Sequence, residues 1–183
     1  MKSSKSYMAF LRGINVGGHH KLPMAGLRAE LAKLGASDVK TLLNSGNALF
    51  THPESKTDKL EKQIEQHLAG VFGFPVPVML RESSDIYRMA EMNPFEKIKV
   101  TKDIRLYVTL IRKSPPAPLK LPRVSSDGSF KILMTDNRCV FSVLDLAVTK
   151  TPKGMDELER IFGKDVTTRN WNTIVKMREL FSG

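Results

Sequence analysis

Apolar and polar positions follow a strand-helix-strand-strand-helix-strand pattern along the first half of the chain. The apolar residues of the first helix recur at three- and four-residue spacing between Pro23, which suits a first helical position, and Gly35, which ends the helix. Asp58 begins the second helix, with Glu61 three residues later as its capping partner. The predicted elements are a strand at 7–11, a helix at 23–35, strands at 39–43 and 48–50, a helix from 58 to 72 and a strand at 76–80.

This order predicts a ferredoxin-like unit of four antiparallel strands with two helices on one face. In that arrangement the loop after the first strand, the turn after the second and the segment before the fourth leave the sheet at the same end. The glycine loop Gly13–Gly18 and the turn Asn44–Asn47 are therefore predicted to be neighbours, although about 30 residues separate them. Asn44–Asn47 has the residues of a tight hairpin, in which Gly46 supplies a positive φ.

The second half is predicted to be a smaller α+β subdomain, so that the chain divides into residues 1–82 and 83–183. Its proline-rich loop is unsuited to a helix or an inner strand. The last helix is expected to use Thr167 or Thr168 as its N-cap. The predicted elements are a helix at 83–92 ended by Asn93-Pro94, a strand at 104–111, a loop with Pro115, Pro116, Pro118 and Pro122, hairpin strands at 130–134 and 140–144, a helix at 152–162 ended by Gly163, and a helix at 168–181 that buries Trp171, Ile174, Val175 and Phe181.

Composition limits the class of protein. The 183 residues, 41% hydrophobic and 26% charged, are typical of a globular protein of one or two domains. The start, Met1–Ser6, lacks the apolar stretch of a secretory signal, and no apolar run approaches the roughly 18 residues of a membrane span. The single cysteine, Cys139, cannot form an internal disulfide. These features predict a cytoplasmic protein with no membrane partner.

The positive charge is unevenly placed. The formal net charge is +10, and the segment Lys97–Lys131 carries nine basic residues against Asp103 and Asp127, which is +7 of that total. Such a surface attracts polyanions such as nucleic acid or phosphorylated metabolites. A solvated face that keeps the protein soluble is the alternative, because no block of consecutive like charges occurs.

The glycine loop, Arg12–Lys21, lies between a strand and a helix. Its glycines allow backbone amides to point toward an anion, and the following helix adds a favourable dipole. The dipole contributes only about 0.3–1 kcal/mol, whereas millimolar affinity requires roughly 4 kcal/mol. An anion site here therefore needs Arg12 or Lys21. The spacing matches neither the Walker A pattern nor the dinucleotide fingerprint, and glycines that only shape the connection are the alternative.

Other candidate chemistry is weaker. His19 and His20 are adjacent and predicted to be solvated, with no carboxylate or thiol spaced to complete a metal site. Ser45 lacks the glycine two residues earlier that a nucleophile elbow requires. Cys139 is predicted to pack in a strand. We therefore predict no metal and no cofactor, and no acid–base pair can be named.

A third polar motif, Thr167–Thr173, contains the only tryptophan. In one interpretation Trp171 anchors the helix while its polar neighbours satisfy backbone groups. In the other, Trp171 is a stacking platform, and Arg169 and Asn172 recognise a polar ligand.

Taken together, these motifs resemble a bacterial family catalogued as domain of unknown function 1697. The resemblance extends over essentially the whole chain and implies a cytoplasmic α+β protein with two subdomains of ferredoxin-like character; it implies no activity. The motifs are Phe10–Gly18, Pro23-Met24, Ser45–Asn47, Asn93–Phe95 and Thr167–Thr173.

Two departures from the family pattern bear on function. His19-His20 stands where the family has Lys or Asn, which argues against a metal role common to the family. Residues 147–153 only loosely resemble a Ser-Lys-bearing stretch of the family, whose lysine corresponds to Lys150 or Lys153.

The leading hypothesis is a binding module for a phosphate-bearing ligand, either nucleic acid or a nucleotide. The alternatives are an enzyme acting on a phosphorylated small molecule, and a protein-interaction module that uses the basic Lys97–Lys131 face. The sequence does not specify the oligomeric state. The predicted ligand-binding residues are Arg12, Gly13, Asn15, Gly17, Gly18, Lys21, Ser45, Gly46, Asn47, Arg169, Asn170, Trp171 and Asn172.

Overall fold

The computed structural model describes residues 4–113 and 118–182, and for residues 151–153, 181 and 182 it describes the backbone alone. These residues form nine strands and five helices with two antiparallel sheets, which confirms the α+β class. The chain divides into two compact units. One contains the described residues up to Tyr87 and from Lys176 onward, and the other contains Arg88–Val175.

The first unit is built on a four-stranded sheet. Its elements are β1 (Lys5–Leu11), α1 (Met24–Lys33), β2 (Ser37–Leu42), β3 (Asn47–His52), α2 (Thr57–Phe72) and β4 (Val78–Glu82). The strands lie in the order β2-β3-β1-β4 with all neighbours antiparallel, as the predicted βαββαβ arrangement requires. Tyr7, Ala9 and Leu11 alternate along β1 and are buried with apolar residues of both helices.

Glu61 does not cap α2, contrary to the prediction. The N-cap residue is Lys56, and among the described residues no side chain caps the helix through a hydrogen bond. The carboxylate of Glu61 instead accepts a hydrogen bond from the amide of Leu80 at 2.7 Å, and Glu65 accepts one from the amide of Val78 at 2.8 Å. The reason is the position of β4 at the edge of the sheet, where its outward amides need acceptors.

The second unit contains a five-stranded sheet. The remaining elements of the chain are α3 (Ser83–Met92), β5 (Ile104–Ile111), β6 (Arg123–Val124), β7 (Phe130–Asp136), β8 (Cys139–Asp145), α4 (Thr151–Phe162), β9 (Val166–Asn170) and α5 (Trp171–Ser182). The strands of the sheet lie in the order β6-β7-β8-β5-β9. If the two-residue strand β6 is left out, the order β7-β8-β5-β9 corresponds strand for strand to the order β2-β3-β1-β4 of the first sheet. Pro115 and Pro116 of the predicted loop lie outside the described residues.

The start of the last helix differs from the prediction. Thr167 and Thr168 do not cap a helix, because they belong to strand β9, which pairs antiparallel with β5. The helix begins at Trp171, where the side-chain oxygen of Asn170 accepts a hydrogen bond from the amide of Asn172 at 3.0 Å. The β-branched threonines are well suited to a strand that has a partner.

The burial predicted for the last helix is partly confirmed. Ile174 is buried, whereas Trp171 and Val175 are half-buried. The side chain of Phe181 lies outside the description. Cys139 is buried in β8, as predicted. Of the helices in the described residues, none combines the length and apolar character needed to cross a membrane.

Candidate functional site

The glycine loop, residues 12–21, folds back on itself as a small hairpin. The amide of Asn15 donates to the carbonyl of His20, and the amide of His19 donates to the carbonyl of Val16, both at 3.1 Å. Gly17 and Gly18, at its tip, have φ values of +59° and +78°. Two successive positive φ values define a turn of the I′ kind, which favours glycine. The glycines therefore shape the tip.

Asn15 closes the base of this hairpin through its side chain. Its Oδ1 accepts from the amide of Leu22 at 2.8 Å, and its Nδ2 donates to the carbonyls of Leu22 at 2.9 Å and Asn44 at 2.8 Å. Its φ of +54° is one that asparagine tolerates better than most residues. The side chain of Asn15 thus holds the glycine loop against the β2–β3 turn.

Gly46 lies where the two loops touch. Its carbonyl accepts a hydrogen bond from the amide of Leu11 at 2.8 Å, and its φ is +80°. A Cβ at this position would lie 2.6 Å from Cδ1 of Ile14 and 2.7 Å from Cβ of Leu11. Only a residue without a side chain allows this approach. The predicted positive φ at Gly46 is thus confirmed.

Asn47 is also used inside the turn. It is fully buried, and its Nδ2 donates to the carbonyl of Leu42 at 2.8 Å and to Oγ of Ser45 at 3.1 Å. Ser45 itself is exposed. The geometry gives Asn47 a role in shaping the hairpin, with Ser45 as the polar side chain on its surface.

The segment before β4 joins the same end of the sheet. The amide of Arg12 donates to the carbonyl of Pro77 at 2.9 Å. The ring of His20 stacks on Phe74 with centroids 4.6 Å apart and planes inclined by 16°. We call this end of the sheet the rim, and it comprises residues 12–21, 43–46 and 73–77. Phe74 is not among the site residues predicted from the sequence, although the predicted topology places its segment at this end of the sheet.

The exposed surface of the rim offers hydrogen-bond donors. Gly13, Gly17, Gly18 and Lys21 are exposed, and Arg12 is half-buried. Within the described residues, the amides of Gly17 and Gly18 donate to no protein acceptor, and Lys21 forms no ion pair. An unpaired ammonium group and two free amides on one exposed loop can bind an anion.

The histidines do not gather into a metal site. His52 bonds with the carbonyl of Leu34 at 3.0 Å and with the amide of Glu54 at 2.9 Å, and His67 bonds with the carboxylate of Glu30 at 2.8 Å. Throughout residues 4–113 and 118–182, no three His, Cys, Asp or Glu side chains are grouped as metal ligands.

The remaining predicted site residues, Arg169–Asn172, belong to the second unit. Arg169 is buried, and its guanidinium donates to Oγ1 of Thr167 at 2.9 Å and to the carbonyl of Thr168 at 3.0 Å. Burial lowers the pKa of Arg169 to about 10, which leaves the side chain charged at neutral pH. Trp171 packs edge-on against Phe95, with centroids 5.3 Å apart. These contacts agree with a structural anchor, while Asn172 remains exposed.

Comparison with known proteins supports the fold and the family. The conserved bacterial protein SP0830 from Streptococcus pneumoniae has a similar structure, with a TM-score of 0.73 and 23% sequence identity over 97% of this chain and 99% of that chain. At that identity the likeness concerns the fold alone. No curated protein matches the sequence. A family model described as protein of unknown function (DUF1697) matches residues 4–141, a span that ends before the Thr167–Thr173 motif. Since this match covers most of the chain, the protein belongs to the DUF1697 family.

Proposed function

We propose that the rim of the first unit binds a phosphate-bearing ligand, namely a nucleic acid or a nucleotide. The observation that carries the proposal is the exposed surface of the glycine loop, where the amides of Gly17 and Gly18 at the tip and the ammonium group of Lys21 nearer the base lack protein partners within the described residues. Phosphate oxygens are acceptors for all three groups.

The magnitudes allow such a site. A hydrogen bond to a charged group contributes about 1.5–3 kcal/mol. Two amides and one ammonium group therefore reach the roughly 4 kcal/mol of a millimolar dissociation constant. Arg12, half-buried at the base of the loop, adds a further positive charge at this end of the sheet.

The open shape of the rim favours a nucleic acid strand over an enclosed small-molecule substrate. Residues 15–21 are all exposed, so this part of the loop can lie along the extended backbone of a nucleic acid strand. Beside Lys21, the stacked pair of His20 and Phe74 offers an aromatic surface. Single-stranded nucleic acids are bound by this combination of positive charge and base stacking, in which each stacked base contributes about 1–3 kcal/mol.

The test is fluorescence anisotropy with a short labelled single-stranded oligonucleotide. We expect the double variant Arg12→Gln/Lys21→Gln to bind about tenfold more weakly or worse, because it loses two charged contacts. The matched control, Lys97→Gln/Lys99→Gln, removes the same charge from exposed positions of the second unit and should bind nearly as wild type. Unchanged binding by the rim variant would contradict the proposal.

A further inference from the structure

We propose that the second unit contains a separate binding site for a small phosphate ester. The site is a cavity of about 390 Å³ between residues 123–130 and helix α4. It belongs to a different unit from the rim and uses none of the rim's residues, so it does not depend on the function proposed above.

Two arginines and one glutamate form the charged wall of this cavity. The guanidinium of Arg160 donates to both carboxylate oxygens of Glu157, at 2.6 and 3.1 Å, and Nε of Arg123 lies 3.6 Å from Oε1 of the same carboxylate. The hydrogen bond from Arg160, followed by the charges of Arg160 and Arg123, holds the pKa of Glu157 below its ordinary value. The three groups carry a net charge of +1 at neutral pH, and in the described residues neither arginine has a second acidic partner.

A serine-rich turn also lines the cavity. The hydroxyls of Ser125 and Ser129 both donate to Oδ1 of Asp127 at 2.7 Å, so these two serines are already used within the turn. Ser126 also lines the cavity, and its hydroxyl has no hydrogen-bond partner in the part of the chain that the structure describes. The guanidinium N–H groups and the Ser126 hydroxyl can therefore donate to a ligand, which suits an anion.

The arrangement suits a phosphate group better than a carboxylate. A carboxylate has two oxygens, which the fork of one arginine satisfies, whereas a phosphate monoester has three terminal oxygens that can engage two guanidinium groups and a hydroxyl. The cavity exceeds what a free phosphate needs and falls in the range of about 300–1,000 Å³ typical of small-molecule sites. Val124 and Phe130 provide apolar wall for the organic part of an ester.

Replacing Glu157 provides a test in which the expected result is tighter binding. A general loss of structure would not tighten binding. The carboxylate of Glu157 competes with a bound phosphate for the same guanidinium groups and repels it. Glu157→Gln keeps the shape and an oxygen that accepts from Arg160, but removes the negative charge. This variant should therefore bind a phosphate ester severalfold more tightly than wild type, while Arg123→Gln should bind about tenfold more weakly.

The experiment is a titration of the 15N-labelled full chain, followed by NMR, with glycerol 3-phosphate, inorganic phosphate and glycerol. With glycerol 3-phosphate we expect saturable shifts of the amide signals of residues 123–130. Inorganic phosphate should bind with weaker affinity, and glycerol should cause no shifts. The control variant Lys97→Gln removes an exposed charge of the same unit that does not line the cavity, and it should retain wild-type affinity.

Three results would overturn the proposal. Wild-type affinity in both Arg123→Gln and Arg160→Gln would show that the cavity arginines are not used. Weaker binding of glycerol 3-phosphate by Glu157→Gln would show that the carboxylate does not compete with a bound phosphate for the two arginines. Equal affinity for inorganic phosphate and the ester would exclude an ester as the ligand. The amide signals of residues 12–21 report binding at the rim separately. Failure of the cavity proposal can therefore be distinguished from failure of the rim proposal.

Discussion

The side-chain amide of Asn15 donates a hydrogen bond to the backbone carbonyl of Asn44 at 2.8 Å, although the two residues are 29 positions apart. The same side chain bonds twice to Leu22. Asn15 therefore joins the glycine loop to Leu22, which follows it, and to the β2–β3 turn. The two loops form one rim because a side chain, in addition to the sheet, holds them together.

Replacing Asn15 should loosen the rim. Asn15→Ala loses three hydrogen bonds and places alanine at a φ of +54°, so we expect a loss of about 1–3 kcal/mol in the free energy of unfolding. Urea denaturation measures this loss. Asn15→Gly is the matched control for the backbone, because glycine tolerates the positive φ. A variant Asn15→Gly as stable as wild type would show that the hydrogen bonds contribute nothing.

Alanine substitutions at Gly46 and Gly18 distinguish the cost of a steric clash from the cost of a positive φ. Their φ values are +80° and +78°, but a Cβ on Gly46 would collide with Ile14 and Leu11, whereas a Cβ on Gly18 would meet no atom of the described residues within 4 Å. Alanine at Gly18 should cost about 1 kcal/mol from the backbone alone. Alanine at Gly46 should cost about 1–3 kcal/mol more, because the core around it must shift. Thermal or urea unfolding compares the two variants, and equal losses would contradict the close approach of the loops.

Local patterns predicted much of the fold. Helix α3 and strand β5 have the predicted bounds, because their apolar periodicity is clear and Asn93-Pro94 ends the helix. Strand β9 escaped prediction. Its Thr167 and Thr168 are typical of an N-cap in isolation, and only pairing with β5, about 60 residues earlier, makes them a strand.

The candidate site was predictable in position but not in detail. The strand order alone brings the glycine loop beside the β2–β3 turn. The roles of Asn15 and Asn47 were not predictable, because their partners are backbone carbonyls whose positions depend on the exact turn geometry. Asparagines in a loop, as seen in the sequence alone, are equally compatible with a role in contacting a ligand. Arg169 is buried whereas Lys21 is exposed, and a single sequence does not reveal this difference in burial.

Glu30 should contribute acid-sensitive stability. A hydrogen bond from Lys33 at 2.7 Å lowers the pKa of Glu30 from the ordinary 4.5. A second hydrogen bond, from His67 at 2.8 Å, lowers it further and is the smaller of the two effects. A lowered carboxyl pKa in the folded state stabilises the protein above the unfolded pKa, and this contribution is lost as pH falls through the folded value.

Urea midpoints measured from about pH 7 down to about pH 3 test this effect. The stability advantage of wild type over Glu30→Gln should shrink as the pH falls below 4.5. Glu91→Gln is the control, since Glu91 is exposed and has no ion pair in the described residues. A constant difference between wild type and Glu30→Gln at every pH would contradict the prediction.

Salt distinguishes the proposed polyanion ligand from an enclosed substrate. For a single strand, the slope of log affinity against log salt changes by about 0.7 for each phosphate neutralised. Lys21→Gln should therefore reduce the steepness of the slope by about 0.7. Anisotropy titrations at several salt concentrations measure it. A slope near zero in wild type would instead favour the alternative of an enzyme with a compact site.

The most direct test of the rim is to follow the amide signals of Gly17 and Gly18 by NMR while a short single-stranded oligonucleotide is added to the 15N-labelled protein. The proposal predicts saturable shifts of these two amides together with those of Lys21 and Ser45, and their loss in the Arg12→Gln/Lys21→Gln variant. Shifts confined to residues 97–131, with Gly17 and Gly18 unmoved, would contradict it and place the binding surface on the basic segment of the second unit.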